Sequence, residues 1–366
     1  MPDKYAHTGT RRAAAPLVAR PLGGQAGAAQ KCLSLNGARC VCWLVYESMK
    51  ALDANNLQGL WAAIPTPWTA GGRFDEAMLA RNCEKLSAAG VDGIYTTDSD
   101  GEFYAIERRE FGRIAKVFGK VMERLKLPGQ MGVTWSHTKG IVDRAEAACG
   151  AGINTVHVAF PFFMPLAKGD VDRFWDDLAT AVPAARWVHY AHPRCGPALG
   201  GKDYQRLLER HPRQLIGTKL TTSDVIGLSE IIGRTPNLAH FVGDRTMLAG
   251  TLLGAKGCYS YWANTLPKWH RTFWGACKQR QWEKAAAMQA RLETWEQGPM
   301  QRLRDGGYRH GAMGKARIAL TAWLEDVPVS RAPYSTVAPA LQAELQRDFD
   351  GYWGAELRRE KFAGRR

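Results

Sequence analysis

The sequence lacks several features that would assign it to other classes of protein. No run of 18 apolar residues occurs in its 366 residues, so we expect no helix that crosses a membrane. The dinucleotide-binding motif G-x-G-x-x-G is absent, as are zinc-finger and basic-zipper patterns. These absences favour a large globular enzyme over a membrane protein or a nucleic-acid-binding module.

Cysteine is sparse for a chain of this length. The eight cysteines are Cys32, Cys40, Cys42, Cys83, Cys149, Cys195, Cys258 and Cys277. That number is too small for a disulfide scaffold. Only one residue separates Cys40 from Cys42, whereas a zinc knuckle or a redox motif has two. We expect a reducing compartment, the cytoplasm, with most cysteines acting as small apolar core residues.

Acidic residues are missing near the beginning of the chain. Residues 4–46 contain no Asp or Glu but six Lys or Arg. Residues 1–48 fit three interpretations: upstream sequence joined to a start at Met49, an organellar transit peptide, or a disordered basic arm. The run from Val41 to Tyr46 is too short for a secretory signal. We expect this segment to be disordered or non-native.

Positive charge exceeds negative charge over the whole chain. There are 49 Lys and Arg against 35 Asp and Glu, a net charge of +14. Such an excess is typical of nucleic-acid binders and of enzymes with anionic substrates. Because the cations are spread along the chain, we expect a small anionic substrate and no nucleic acid. Only residues 351–366 concentrate them, and we interpret this segment as a solvated basic tail.

Short apolar runs alternate with longer amphipathic ones from residue 55 onward. The predicted strands are 60–64, 91–97, 130–135, 153–160, 186–190, 215–220, 238–242 and 257–261. Strands that alternate with helices at this spacing indicate parallel βαβ units. We therefore predict an α/β protein whose residues 55–265 form a (β/α)8 TIM barrel. Residues 266–350 are predicted to form a C-terminal helical extension.

Active sites of such barrels lie at the carboxyl ends of the strands, where Lys219 is the unusual residue. Lys219 ends the apolar run 215–218, and burial there is expected to lower its pKa. A neutral amine attacks ketones to form an imine, which is an electron sink for breaking the adjacent carbon–carbon bond. Tyr190 ends the neighbouring strand and is a candidate proton shuttle. Position alone also permits a lysine that extends to solvent and a tyrosine that is merely buried.

The order of these residues carries a family resemblance. The resembling positions are Gly101-Glu102, Tyr190 with Pro193, Lys219, Gly243-Asp244, Gly254-Ala255, Ser260, Asn264 and Pro267. Over about residues 55–325 the chain resembles the dihydrodipicolinate synthase / N-acetylneuraminate lyase family. The resemblance implies a lyase, a class I aldolase that joins Lys219 to pyruvate or another 2-oxo acid as a Schiff base. It also implies a homotetramer, a dimer of dimers, that needs no metal or organic cofactor.

The resemblance further implies roles for single residues. Catalysis is expected from Lys219, Tyr190 and Ser99. Substrate contacts are expected from Asp100, Gly101, Glu102, Phe163, Arg194, Thr221, Gly243, Asp244, Tyr259 and Ser260. We also expect an aromatic-tolerant pocket formed by Trp68, Trp135, Phe163, Tyr259 and Trp262.

The chain departs from the family pattern at three places. The family's turn after strand 2 usually reads Gly-Thr-Thr-Gly-Glu, but here it reads Asp-Ser-Asp-Gly-Glu over residues 98–102. A buried, unpaired Asp100 would repel a substrate carboxylate. Phe163 replaces a relay tyrosine, and Arg194 lies in a shortened loop. These changes argue against lysine-biosynthetic synthase activity and favour a catabolic aldolase or dehydratase, two reactions that share one imine.

Two other functions compete with this interpretation. A family member that has lost catalysis would bind a small metabolite as a sensor or scaffold, and Asp100 and Phe163 motivate that alternative. The carboxylates of Asp98, Asp100 and Glu102 would hold a divalent metal in a metal-dependent aldolase, but their spacing does not match an EF-hand loop.

Overall fold

Parallel strands and helices alternate along the chain and close into a barrel. The computed structural model describes residues 52–325, 329–360 and 362, so the interpretations of residues 1–48 lie outside the described residues. The strands are β1 (Gly59–Ala63), β2 (Gly93–Thr96), β3 (Gly129–Gly132), β4 (Thr155–Val158), β5 (Arg186–Ala191), β6 (Leu215–Leu220), β7 (Ala239–Gly243) and β8 (Gly257–Ser260). Each pairs with the next, and β8 pairs with β1. The predicted TIM barrel is confirmed.

Helices follow the strands and cover the outside of the barrel. Around the barrel they are α1 (Glu76–Ala89), α2 (Arg108–Leu125), α3 (Thr138–Cys149), α4 (Asp170–Ala181), α5 (Gly201–Arg210), α6 (Val225–Arg234) and α7 (Met247–Leu253). After the last strand come α8 (Pro267–Lys278), α9 (Trp282–Gln297), α10 (Gln301–Asp305), α11 (His310–Thr321) and α12 (Pro339–Glu360). The predicted C-terminal helices are therefore present. The separate bounds predicted for a barrel at 55–265 and a helical region at 266–350 stay a prediction.

Local sequence signals set the ends of the first helix. The carboxylate of Asp75 accepts a hydrogen bond from the backbone N–H of Met78 at 2.9 Å, which caps the amino end of α1. Gly90 ends the helix with φ 78°, a left-handed conformation in which a side chain would be strained. The chain then turns directly into β2.

The inside of the barrel is packed with aromatic and polar side chains. Trp61, Tyr95, Phe241 and Tyr259 belong to one buried cluster, in which the rings of Phe241 and Tyr259 stack at 4.4 Å. These residues share the inward face of their strands, since successive side chains point to opposite sides of a sheet. A floor of rings thus closes the barrel beneath its carboxyl end.

Helix α12 differs from the solvated tail that we predicted for residues 351–366. The helix continues to Glu360, and Trp353 is fully buried with its ring 4.9 Å from that of Trp269. Leu345, Phe349 and Trp353 recur every four residues, which is the spacing of one helix face. The prediction of a solvated tail rested on the basic residues of this segment. Its apolar stripe packs against the protein instead, so residues up to Glu360 form a docked helix.

Membrane insertion was not expected from the sequence. In the part of the chain that the structure describes, no helix combines the length and the hydropathy needed to cross a bilayer.

Candidate active site

Lys219 lies near the carboxyl end of β6 and points into the barrel mouth. Its register partners are Tyr190 on β5 and Phe241 on β7. The side chain is only 8% exposed. The two strands place its amine among the groups that follow β2 and β5, as the order of the sequence predicted.

The amine of Lys219 is held by three neighbours. Its Nζ lies 2.6 Å from Oδ2 of Asp98 and 3.4 Å from the hydroxyl of Tyr95. It also lies 3.9 Å from the centroid of the Tyr190 ring, within cation–π range. These contacts all favour a protonated amine at rest.

The pKa of Lys219 is shifted in the opposite direction to the one expected. Burial lowers the pKa of Lys219, but the Asp98 carboxylate and Tyr190 outweigh burial, so its pKa lies above the usual range. Burial alone would likewise raise the pKa of Asp98, yet the Lys219 ammonium holds it well below its usual range. The sequence-based expectation of a lowered lysine pKa was wrong because it omitted this buried partner.

Tyr190 and Ser99 lie together beside the lysine. The hydroxyl of Tyr190 is 3.2 Å from Oγ of Ser99, so the two groups are within hydrogen-bonding distance. Burial raises the pKa of Tyr190, which keeps its proton at neutral pH. A protonated phenol paired with a second hydroxyl is equipped to pass a proton to or from a bound molecule.

The turn after β2 folds back tightly on itself at Gly101. A Cβ at this position would lie 2.4 Å from the backbone nitrogen of Thr97. The Gly101 carbonyl also accepts a hydrogen bond from Oγ1 of Thr66 at 2.7 Å. Only glycine allows the turn to sit this close to its own beginning.

Replacing Gly101 by alanine is expected to lower the free energy of unfolding. The added methyl group must push apart two backbone segments, which costs about 1–3 kcal/mol by analogy with overpacked cores. Urea denaturation measures the change. Gly351→Ala is the matched control, since its Cβ meets nothing within 4 Å on α12 and alanine favours a helix. Equal stabilities for Gly101→Ala and the wild type would contradict the close approach.

Asp100 faces α11 rather than the amine. A Cβ built on Gly314 of that helix would lie 3.5 Å from Oδ1 of Asp100, and this oxygen has no hydrogen-bond partner in the described residues. Burial raises the pKa of Asp100 to about 6, against the opposing charges of Lys219 and Arg317. The carboxylate therefore changes its charge within the physiological pH range.

Glu102 is directed away from Lys219 and fastens the turn to the C-terminal part of the chain. Its Oε1 lies 2.7 Å from Nζ of Lys315, and both side chains are buried. Its Oε2 accepts hydrogen bonds from Nε1 of Trp68 and from the backbone N–H of Arg331, each at 3.2 Å. We call these four residues the Glu102 clamp. These contacts hold the turn in place, and the substrate contact that the resemblance implied for Glu102 stays a prediction.

Strands β7 and β8 contribute structural contacts beside the site. Asp244 lies 2.6 Å from Nε2 of His270 and accepts a hydrogen bond from the backbone N–H of Tyr261 at 3.0 Å. Ser260 accepts one from the N–H of Ala263 at 2.9 Å. Both carboxylate oxygens of Asp244 and the Ser260 oxygen thus have partners within the protein. Gly243 precedes Asp244 and contributes only backbone.

Three predicted substrate contacts lie on the rim instead of inside the mouth. Phe163 is 81% exposed, and Thr221 is also exposed. Arg194 donates a hydrogen bond to Nε2 of His192 at 3.3 Å. Burial lowers the pKa of His192 to about 4, so this ring is neutral and able to accept that hydrogen bond.

The five predicted aromatic residues do not form one pocket. Trp68 and Trp262 are fully buried, and the Trp262 indole donates a hydrogen bond to Glu296. Tyr259 belongs to the ring floor, where its hydroxyl donates to Oε1 of Gln130 at 2.7 Å. Phe163 is exposed, and the Trp135 ring packs against the guanidinium of Arg144, whose Cζ lies 3.5 Å from the ring centroid. The ring centroid of Tyr259 lies 5.7 Å from the amine of Lys219, within cation–π range.

The three carboxylates that suggested a metal site have different partners. Asp98 meets Lys219, Asp100 faces α11, and Glu102 meets Lys315. Among the described residues one cluster has metal-ligand chemistry, formed by Asp244, Cys258 and His270. Within it, Nε2 of His270 lies 2.6 Å from Oδ1 of Asp244. The carboxylates of Asp98, Asp100 and Glu102 therefore do not form one ligand group among the described residues.

The sequence did not identify three residues in or beside the site. Asp98 was considered only as a metal ligand, although a carboxylate directly after β2 is a visible signal. His157 on β4 lies 3.5 Å from Asp98, and inward alternation along the strand would have found it. Arg317 is buried on α11, and its charge acts on Asp100. No pattern in the strands points to a residue on a later helix.

Comparison with known proteins gives the same family. A sequence model of the dihydrodipicolinate synthetase family matches residues 56–307. The 4-hydroxy-tetrahydrodipicolinate synthase of Haloarcula marismortui is 27% identical over 245 residues, 66% of this chain and 78% of that protein. The enzyme of the same name from Acidiphilium cryptum is 24% identical over 295 residues, 80% of this chain and 97% of its own.

Solved structures share the fold. YagE from E. coli, a prophage protein whose crystal structure contains pyruvate, superposes with a TM-score of 0.74 at 23% identity. The match covers 81% of this chain and 99% of YagE. At that identity the likeness shows the barrel alone, whereas the sequence model matches more than half of the chain. This chain therefore belongs to the dihydrodipicolinate synthetase family and is an enzyme of its class I aldolase and lyase type.

Proposed function

We propose that Lys219 forms a Schiff base with pyruvate or another 2-oxo acid and that the enzyme catalyses aldol cleavage, aldol condensation or dehydration. The observation that carries the proposal is the buried Lys219 amine at the barrel mouth, 3.9 Å from the ring centre of Tyr190. Carbonyl carbon atoms react with such an amine once it is neutral. The iminium that results accepts the electron pair that is left on the carbon atom next to the imine carbon when a bond to that atom breaks.

Tyr190 and Ser99 supply the proton transfers of the proposed reaction. Their hydroxyls form one hydrogen-bonded pair beside the amine. The pair passes a proton between the substrate oxygen and the bound imine without solvent, which is worth about 100-fold to 10,000-fold in rate for a positioned acid or base.

The substrate class follows from the relatives and from the charges. Pyruvate is bound in the YagE crystal structure, which supports a 2-oxo acid here. Phe163 and Asp100 argue against the lysine-biosynthetic synthase reaction, since the first has no hydroxyl and the second disfavours a carboxylate at the turn. Arg194 on the rim suits the outer, anionic or polar end of a catabolic substrate.

Assembly and location belong to the same proposal. Ile226 in α6 is 84% exposed and Leu252 in α7 is 56% exposed, and exposed apolar side chains on adjacent helices favour subunit contact. We expect a homotetramer, which light scattering tests against the 40.5 kDa of one chain. The described cysteines Cys83, Cys149, Cys195, Cys258 and Cys277 are free thiols. Free thiols support a reducing compartment such as the cytoplasm.

Reductive trapping tests the proposed function directly. The protein is mixed with pyruvate and borohydride, and the adduct is located by peptide mass spectrometry. A stable adduct on Lys219 alone is the expected result. If pyruvate gives none, larger 2-oxo acids are tried in the same assay. A folded protein that no 2-oxo acid labels at Lys219 would overturn the proposal and favour the metabolite-binding alternative.

Asp100 is expected to make substrate affinity depend on pH. Its raised pKa of about 6 leaves the carboxyl neutral below that pH and anionic above it. The anion repels a 2-oxo acid, so KM should rise by on the order of tenfold as pH increases through 6. Asp100→Asn should remove this step, while Asp172→Asn, whose carboxylate pairs with Arg206 on the outer helices, keeps it. A KM profile unchanged in Asp100→Asn would contradict the assignment.

A further inference from the structure

The carboxylate of Asp98 occupies a place where the resembling family usually has glycine. Asp98 is 2% exposed, so it is shielded from water. Its Oδ2 lies 2.6 Å from the amine of Lys219 and 3.5 Å from Nδ1 of His157. A buried carboxylate that touches the reacting nitrogen can exchange a proton with it directly.

His157 is a second group that can accept the proton, through a hydrogen bond from protonated Asp98. The amide oxygen of Gln130 accepts hydrogen bonds from the Tyr259 hydroxyl and from Nε2 of His157. An amide oxygen only accepts, so Nε2 carries the imidazole hydrogen. Burial lowers the pKa of His157 against the pull of Asp98, so the ring is neutral. Its Nδ1 therefore presents a lone pair to Asp98, which is suited to receive a hydrogen from a protonated Asp98.

We propose that Asp98 is a further catalytic residue that takes the proton from the Lys219 ammonium and returns it to the hydroxyl that leaves during imine formation. This inference rests on the proposed Schiff-base function. It concerns a residue outside the Lys219, Tyr190 and Ser99 set.

The steps balance in atoms and charge. The Lys219 ammonium first gives one proton to the Asp98 carboxylate, leaving a neutral amine and a carboxylic acid. The amine nitrogen then bonds to C2 of the 2-oxo acid, and after proton transfer from nitrogen to oxygen the product is a neutral carbinolamine. The acid of Asp98 protonates its hydroxyl, the C–O bond breaks, and water leaves. The products are an iminium, water and the Asp98 carboxylate, which remains as the counterion.

The other groups near the amine are less suited to this exchange. Tyr190 turns its ring face towards Nζ at 3.9 Å, while its hydroxyl pairs with Ser99. The hydroxyl of Tyr95 is farther from the amine, at 3.4 Å, and burial raises the pKa of Tyr95 well above its usual range. Asp100 faces α11. Asp98 is the described carboxylate in hydrogen-bonding contact with Lys219.

The same ion pair permits an opposite role, in which Asp98 locks Lys219 in its protonated, unreactive form. The two roles predict opposite effects of removing the carboxylate. As a catalyst, Asp98 accelerates imine formation, and its loss slows trapping. As a lock, it delays imine formation, and its loss speeds trapping.

The test measures the rate of borohydride trapping of pyruvate, or of the 2-oxo acid that labels Lys219 best, in Asp98→Asn and Asp98→Gly. We expect both variants to be at least about 100-fold slower than the wild type. Formate should restore trapping in Asp98→Gly, because it fits the space of the missing carboxylate and supplies the acid. Asp92→Asn is the matched control, since Asp92 is exposed and bonds the N–H of Leu60 elsewhere. Thermal melting checks that each variant is folded.

Each outcome decides the inference. Slowed trapping with formate rescue supports it. Variants as fast as the wild type overturn it, and faster variants overturn it and establish the lock. Slowing without rescue assigns Asp98 a positioning role and also overturns it. Labelling of the variants at Lys219 without labelling of the wild type overturns the inference and establishes Asp98 as the lock. Absence of label in every form defeats the proposed function itself, and the inference with it.

Discussion

Lys219→Ala is expected to lose all detectable turnover and all reductive trapping. The proposed chemistry has no step that proceeds without the amine, because every bond change passes through the imine. Turnover and adduct formation are measured on the same preparation, with the 2-oxo acid that labels the wild type. Adduct formation at another lysine with normal turnover would contradict the role of Lys219.

Folding must be separated from chemistry in this experiment. Removing Lys219 leaves Asp98 as an unpaired buried carboxylate, and breaking such a pair costs about 3–5 kcal/mol of unfolding free energy. The double variant Lys219→Met with Asp98→Asn removes both charges and should recover most of that stability while remaining inactive. Lys256→Ala serves as the matched control, since Lys256 bonds the carbonyl of Ala54 at 2.8 Å on the opposite face of the barrel.

Tyr190→Phe is expected to reduce kcat by about 100-fold to 10,000-fold while Lys219 can still be trapped. The substitution keeps the ring that contacts the amine and removes the hydroxyl that pairs with Ser99. Loss of a proton shuttle acts on steps after substrate binding, so KM should change little. The ratio of trapping rate to turnover rate is the decisive quantity.

Tyr204 offers a matched control for this substitution. It is a fully buried tyrosine outside the barrel mouth, and its hydroxyl lies 2.7 Å from Nδ1 of His189. Tyr204→Phe should leave kcat unchanged and cost about 1 kcal/mol of stability. If Tyr190→Phe behaved like Tyr204→Phe, Tyr190 would be a packing residue and not a proton shuttle.

Regular repetition made the fold predictable from the sequence. Each strand is a short apolar run, and each amphipathic helix that follows has polar signals at its ends, such as Asp75 before α1. Position after a strand then brought Lys219, Tyr190 and Ser99 together, because parallel strands end at one face of a barrel. These inferences use only local pattern and topology, which is why they succeed without side-chain detail.

The rest of the site depends on contacts between segments far apart in sequence. The pKa of Lys219 could not be inferred without knowing that Asp98 lies 2.6 Å away. Glu102 follows the same turn, yet Lys315 decides where its carboxylate points. Asp100 likewise titrates near neutrality because α11 covers it. The spacing of residues in the sequence identifies the turn after β2. It does not determine where the side chains of Asp98, Asp100 and Glu102 point.

The Glu102 clamp has a consequence for how this enzyme diverges or is re-engineered. The family match ends at residue 307, whereas Lys315 and Arg331 lie beyond it. Arg331 also reaches the carbonyl of Ala105 at 2.9 Å, just past the turn that carries Asp98 and Asp100. The turn that carries Asp98 and Asp100 is thus held in place by residues of the C-terminal helical region. Exchanging that region between paralogues offers a route to altered substrate preference that leaves the barrel strands and Lys219 unchanged.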